Sequence, residues 1–381
     1  MDRVWPERIR AGLAGAPADA TGVLFVDLAA LRRNYRKLRD AAPGAETAGV
    51  IKANAYGLGA LQVLSALKAE GCKTFFVATP GELQALGSLA PEETVYVLDG
   101  LLKGSAATFS DTRLRPVLNS LDEIEEWLGL CRASNKKLPA AIQADTGMTR
   151  LGVSGDELHR LSEAPEALAG LDLRLIMSHL ACADRQDSPK NGEQRDKFEQ
   201  IAAFFPGVPR SLANSGGIFL GPAFHYDLTR PGIALYGGSP SGYKPNPVEA
   251  VAYLYGRIAQ VRWAERGETV GYGAALTLKR RSKIATVTAG YADGFFRALS
   301  ASDARDGPPA HIGPHPLPLL GRVSMDLTTY DATDVPDGLV QRGGFVEILG
   351  ERVTVDDLAS RAGTISYEIL TSLGHRYHRV Y

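Results

Sequence analysis

From Val23 to about Gly238 the chain alternates short β-rich runs with amphipathic helical stretches, and no other feature constrains its fold so strongly. Nine runs carry the pattern: VLFVD, AGVIKA, TFFVAT, TVYVLD, RPVLN, AAIQAD, LRLIMSH, SLANS and YDLTR. Between them lie segments such as LAALRRNYRKLRDA, LDEIEEWLGLCRAS and EQRDKFEQIAAFF, whose apolar residues recur at helical spacing. Strands that alternate with helices form parallel βαβ units. An α/β barrel of the (β/α)8, TIM-like kind uses eight strands. One of the nine is therefore surplus, and the first, near 23–27, is assigned to a second domain.

That second domain begins after SGYKPNP, a stretch rich in Gly, Pro and Ser. AYLYGRIAQVRWAERGETVGYG, SKIATVTAGYADG and GFVEILGERVTVDDLA read as strands joined by turns, and long helices disappear. The expected organisation is a barrel over 1–244 and a mainly β C-terminal domain over 245–381. With 381 residues, 45% of them hydrophobic, the chain can fill two cores. A net charge of -1 without a basic stripe disfavours nucleic acid as a partner. Cys72, Cys131 and Cys182 form no CxxC, which argues against a disulfide framework or a structural zinc site. No apolar run is long enough to span a bilayer, and MDRVWPERIRAGLAG has charges where a signal peptide needs an apolar core. A cytoplasmic protein without a membrane partner is expected.

Within the barrel, VIKANAYGLG ends an apolar run on Lys52. In this fold that places the lysine at the C-terminal end of a strand, on the face where active sites lie. Apolar surroundings disfavour the ammonium form. A neutral amine there can condense with an aldehyde such as that of pyridoxal phosphate, whereas a lysine that merely reaches water is the ordinary alternative. LANSGG puts Ser215 just past a strand, and LTRPGIALYGG puts Gly232 after Arg230 in the same way. Such turns can offer backbone N–H groups and a hydroxyl to a phosphate, although plain βα turns look alike. SHLACAD places His179, and DTGMTRLG places Arg150, beyond two further strands. All fall at the ends of successive strands, so their side chains can converge on one pocket.

These segments resemble the alanine racemase family, which joins a pyridoxal-phosphate barrel to a β domain. VIKANAYGLG, DTGMTRLG, SHLACAD, TRPGIALYG, VGYG, GYADG and GRVSMD follow in the family's order over nearly the whole chain. The resemblance implies interconversion of L- and D-alanine on a pyridoxal 5'-phosphate aldimine, with D-alanine supplied to peptidoglycan. It implies that Lys52 holds the cofactor and serves as one base. Tyr272 would be the second base. Tyr56, Ser215, Gly232, Ile233 and Tyr367 would bind the phosphate, and Arg230 would face the pyridine nitrogen with His179 beside it. Arg150 would touch the cofactor and the substrate carboxylate, which the Met325 backbone would also meet. Tyr291, Tyr367, Arg297, Arg322, Asp184 and Ile365 would line a narrow entrance suited to a small amino acid. Tyr272 and Met325 would serve the other subunit, so a homodimer would share its active sites.

Two bases on opposite faces of Cα explain how a proton can leave one face and return to the other. Tyrosine's pKa of about 10 is high for a base at neutral pH, and positive charge on Arg230 and His179 is expected to stabilise its anion. Arginine opposite the pyridine nitrogen disfavours a second positive charge there and so weakens the ring as an electron sink. The chain departs from the family at Gln143, where many members carry a carbamylated lysine, at Ser324 in place of cysteine, and at Leu58 in place of histidine. No carbamate is expected, and the Gln143 amide is expected to hydrogen-bond Arg150 instead. Serine or broad-specificity racemisation, decarboxylation on the same barrel and non-catalytic pyridoxal-phosphate binding are the rival readings. Metal chemistry is not expected, since His311 and His315 in HIGPH share no helix face.

Overall fold

The computed structural model describes residues 5–82, 90–109, 113–242 and 245–381. The chain forms two compact units, one over Leu31–Glu249 and the other combining Met1–Ala30 with Ala250–Tyr381.

In the first unit, seven parallel strands pair in chain order: Gly49–Val50, Thr74–Val77, Thr94–Val97, Leu114–Leu118, Leu138–Gln143, Leu171–Met177 and Arg210–Ser211. An eighth, Leu228–Thr229, closes the ring. It lies parallel to Glu46–Thr47, just before the first strand. The bridge between Asn214 and Arg230 joins it to the seventh. Backbone bonds from Ala48 N to Thr229 O and from Arg230 N to Ala213 O, each 2.9 Å, complete the seam. Three strands, Thr74–Val77, Leu138–Gln143 and Gly49–Val50, are buried at every residue, as helices outside and side chains inside a barrel require.

The helices start where the sequence supplies caps. The Ser120 side chain accepts from Glu123 N at the head of Leu121–Ser134, and Asn135 ends that helix in the left-handed region. Its buried Ile124, Trp127, Leu128 and Cys131 keep an i, i+3, i+4, i+7 stripe. Ser154 and Glu157 form a capping box at Gly155–Glu163. Pro189 opens Pro189–Ala202 at a position where its missing N–H is harmless.

The second unit is built on the strand Ala252–Ala264. Its first half pairs antiparallel with Gly22–Val26 and Phe345–Leu349, and its second half pairs with Ser282–Val287. Register shifts near Leu254/Tyr255 and Ile258/Gln260 accompany the change of partners. The run at 23–27 thus lies in this sheet, where Gly22–Val26 also pairs parallel with His378–Val380. One reading is corrected: GFVEILGERVTVDDLA is not all strand. Phe345–Leu349 is strand, but Val355–Ala362 is a helix, started by a capping box between Thr354 and Asp357. Local capping outweighs the β-branched Val353, Thr354 and Val355. Among the described residues no helix is long and apolar enough to cross a membrane.

Candidate functional site

Lys52 follows the strand Gly49–Val50 and is half-buried. The chain then makes a turn that its composition does not announce. Ala53, Asn54, Ala55 and Tyr56 all lie in the left-handed region, with φ of 52°, 54°, 53° and 56°. None is glycine, and left-handed helix costs roughly 1–2 kcal/mol per residue. Surrounding bonds hold the turn. Ala55 N donates to Ile51 O at 2.9 Å and Gly57 N to Ala53 O at 2.8 Å. The Glu82 carboxylate accepts from Ala53 N at 2.7 Å, and Asn54 Oδ1 accepts from Ala60 N at 2.8 Å.

This turn carries Tyr56 into the barrel, where its ring stacks on Tyr236 with centroids 4.5 Å apart. Tyr236 in turn donates to Val50 O at 2.8 Å. A Cβ on Gly232 would collide with the Tyr56 hydroxyl, so only glycine lets that hydroxyl close against the backbone here. Ser215 closes the other side. Its buried Oγ accepts from Gly232 N at 2.9 Å and Ala234 N at 3.3 Å, which leaves its own O–H to donate. Ile233 is buried beside them. The hydroxyls of Tyr56 and Ser215, converging on Gly232, fit the phosphate of pyridoxal 5'-phosphate.

The charged groups of the barrel crowd one another. Arg230 is buried, donates to Ser211 Oγ and to Ser178 O (2.6 Å), and comes within 3.5 Å of His179 Nδ1. Its guanidinium lies 5.9 Å from the centroid of the Phe76 ring. Burial brings its pKa down to about 9, still charged at neutral pH. Burial, then Arg230, Arg150 and Lys52, push His179 down to about 3. The imidazole is therefore neutral at physiological pH, which corrects the expectation that His179 contributes positive charge. Lys52 is also lowered, by burial first and by Arg150 second, against the opposing pull of Asp99 and Glu82. An amine so placed gives up its proton more readily than a surface lysine.

Arg150 lies exposed on a loop shaped by Asp145, whose Oδ1 accepts from Gly147, Met148 and Thr149 N at 2.9, 3.0 and 3.1 Å. Gln143, buried beneath the loop, donates to Leu151 O at 3.2 Å. Its amide holds the backbone next to Arg150, in contrast to the expected bond to the guanidinium. Leu58 is fully buried. Asp184 is exposed.

Three contributors carried no sequence signal of their own: Glu82, Tyr236 and Gln194. The last is completely buried and binds Thr146 Oγ1 (3.1 Å), His179 O (2.9 Å) and Ala181 N (2.8 Å). A glutamine on an otherwise amphipathic helix reads as surface until its partners are seen.

The second unit holds the remaining candidates. Tyr272, Met325, Tyr291, Tyr367 and Ile365 are 70, 53, 42, 40 and 61% exposed. The Tyr291 and Met325 loops are tied together. Tyr291 N donates to Ser324 O at 3.0 Å, and Ala292 N donates to Met325 O at 2.9 Å. Gly273, beside Tyr272, packs against the Arg322 guanidinium, where a Cβ would come within 2.9 Å. Arg297 starts a short 3-10 turn whose end, Ser300 Oγ, accepts from Val323 N at 3.0 Å. Arg376 bonds Asp293 (2.6 Å) and Asp326 (2.7 Å), spanning the GYADG and GRVSMD segments. Among the described residues no cluster of His, Cys, Asp or Glu is placed to hold a metal.

Residues 26–240 match the family model "Alanine racemase, N-terminal domain", and residues 251–381 match "Alanine racemase, C-terminal domain". An alanine racemase of Rhodospirillum rubrum is 49% identical over 364 residues, 95% of this chain and 96% of that protein. A catabolic alanine racemase of Mesorhizobium japonicum is 44% identical over 96% of this chain and 94% of its own length. The crystal structure of alanine racemase from Bartonella henselae with covalently bound pyridoxal phosphate superposes with a TM-score of 0.89 at 40% identity. It covers 95% of this chain and 99% of that one.

Proposed function

This chain belongs to the alanine racemase family, and we propose that it interconverts L- and D-alanine with pyridoxal 5'-phosphate held at Lys52. The observation that carries the reading is the barrel mouth, where Lys52, Arg150, His179 and Arg230 crowd together beside the cradle of Tyr56, Ser215 and Gly232. When bound, the cofactor supplies the electron-withdrawing ring that makes an amino acid's α-proton removable.

Each residue then has a physical task. Lys52 would hold the cofactor and move the proton on one face of Cα; its lowered pKa supports that role. Arg230, charged at neutral pH, would face the pyridine nitrogen, where its charge would disfavour a proton. His179 fixes Arg230 as a neutral partner. Tyr56, Ser215, Gly232 and Ile233 hold the phosphate, and the family resemblance supports Tyr367 as a further contact. Arg150 would orient the substrate carboxylate, with the backbone of the partner subunit's Met325. The partner subunit's Tyr272 would work on the opposite face of Cα. The exposure of Tyr272, Met325, Tyr291 and Ile365 supports a homodimer that covers them. Tyr291, Arg297, Arg322, Asp184 and Ile365 would line its narrow entrance. A cytoplasmic enzyme that supplies D-alanine to peptidoglycan accords with this reading.

Incubation with individual L-amino acids in D2O tests it. L-alanine is expected to give D-alanine labelled at Cα. Label and inversion with other amino acids but not with alanine would overturn the substrate assignment.

A further inference from the structure

We propose that Glu82 is a positioning residue for Lys52; the proposal rests on the reading of Lys52 as the cofactor lysine. Glu82 follows the strand Thr74–Val77, the neighbour of the strand Gly49–Val50 that precedes Lys52. One of its carboxylate oxygens accepts from Ala53 N at 2.7 Å, and the other accepts from Ala78 N at 2.8 Å. A single side chain thus ties the residue after Lys52 to the end of the adjacent strand.

The bond to Ala53 falls at a decisive place. Ala53 is the first of four successive left-handed residues, none of them glycine. That conformation persists only where the surroundings enforce it. The turn sets the direction in which Lys52 leaves its strand, and the same turn delivers Tyr56 to Gly232. Glu82 therefore couples the lysine end of the cofactor site to its phosphate end. A carboxylate suits the task because it can accept two backbone N–H bonds at once, each strengthened by its charge. Glutamine can accept only one of them, since its second atom is itself a donor. Aspartate is too short to span both.

The test uses the full-length protein reconstituted with pyridoxal 5'-phosphate, in Glu82→Ala and Glu82→Gln forms. Cofactor affinity is read from the yellow absorbance, and the pose of the bound group from its visible circular dichroism. Removing both bonds in Glu82→Ala should weaken affinity about tenfold or more and diminish the dichroic band. Glu82→Gln should fall between that variant and the unmodified protein. A purely structural role would lower the melting temperature and leave affinity and dichroism unchanged, which would overturn the proposal. If Glu82→Ala does not fold, Glu82→Gln decides the matter: affinity within about twofold of the parent, with an unaltered band, overturns it. Lys52→Ala separates the two failures. If that variant retains a chromophore that borohydride fixes to the chain, the lysine assignment falls and the proposal with it. If it loses the chromophore while both Glu82 variants behave as the parent, only the role of Glu82 is refuted.

Discussion

The two units treat most of their candidate residues in opposite ways. In the barrel, Arg230 and Ser215 are buried, Lys52 and His179 half-buried, and each answers to neighbours within the same unit. In the β unit, Tyr272, Met325 and Ile365 stand more than half exposed on loops that are firmly braced from behind. A braced loop that presents large apolar side chains to solvent is a surface prepared for contact. On the proposed reading, the barrel would supply most of the cofactor's contacts, whereas the residues that would make the site a racemase need something to cover them.

The sharpest way to break the comparison is to empty the barrel side. Lys52→Ala should remove the covalent chromophore and lower racemisation by at least about a thousandfold, since it deletes an attachment point and a base together. Absorbance after borohydride reduction and chiral product analysis check it. Tyr272→Phe should leave the chromophore in place and slow racemisation by about a hundredfold or more. Deuterium exchange should suffer more from one enantiomer than from the other. Equal losses would argue against bases on opposite faces. Co-expression of the two variants then tests whether the sides belong to different chains. A randomly assorted C2 dimer with sites shared between subunits regains about a quarter of the parental rate, whereas sites confined to one chain regain none.

A smaller effect comes from His179. Its folded pKa of about 3 lies below the ordinary histidine value of 6.5. The unfolded chain therefore takes up a proton first as pH falls, and stability is lost between those values while remaining intact above them. By pH 5 the loss is about 2 kcal/mol. Urea midpoints at pH 7 and pH 5 measure it, and His179→Gln should show a smaller difference than the parent. In the β unit burial also lowers His311, so the difference between the parent and His179→Gln is what assigns the acid sensitivity to the barrel side.

Much of this was legible in sequence because buried parallel strands are near-continuous apolar runs, so Lys52, His179 and Ser215 stand out as interruptions at strand ends. The 23–27 run could be set apart because eight strands close the ring without it. What could not be read were features fixed by distant partners. Ala53 to Tyr56 have no glycine to mark a left-handed turn, and the restraint comes from Glu82, a strand away. The charge state of His179 depends on burial and on three cations that meet only in the fold. The helix at Val355–Ala362 was legible in principle, since Thr354 and Asp357 form a capping pair, but the β-branched run around it carries the opposite signal.

Gln143 offers the finest test of the barrel side, because it acts one step removed from any charged group. Its amide donates to Leu151 O at 3.2 Å, under a loop already held by three bonds to Asp145. Loss of that one neutral bond is worth about 1 kcal/mol. Gln143→Met keeps the volume and should free the backbone beside Arg150 without disturbing the Asp145 turn. If Arg150 serves mainly to orient the substrate carboxylate, KM for alanine should rise about threefold to fivefold with little change in kcat. Added bicarbonate should alter neither form, because neither carries a lysine at position 143 to carbamylate. A fall in kcat at constant KM would instead place Arg150 in stabilising the transition state, and the loop would then be part of the chemistry, beyond its part in binding.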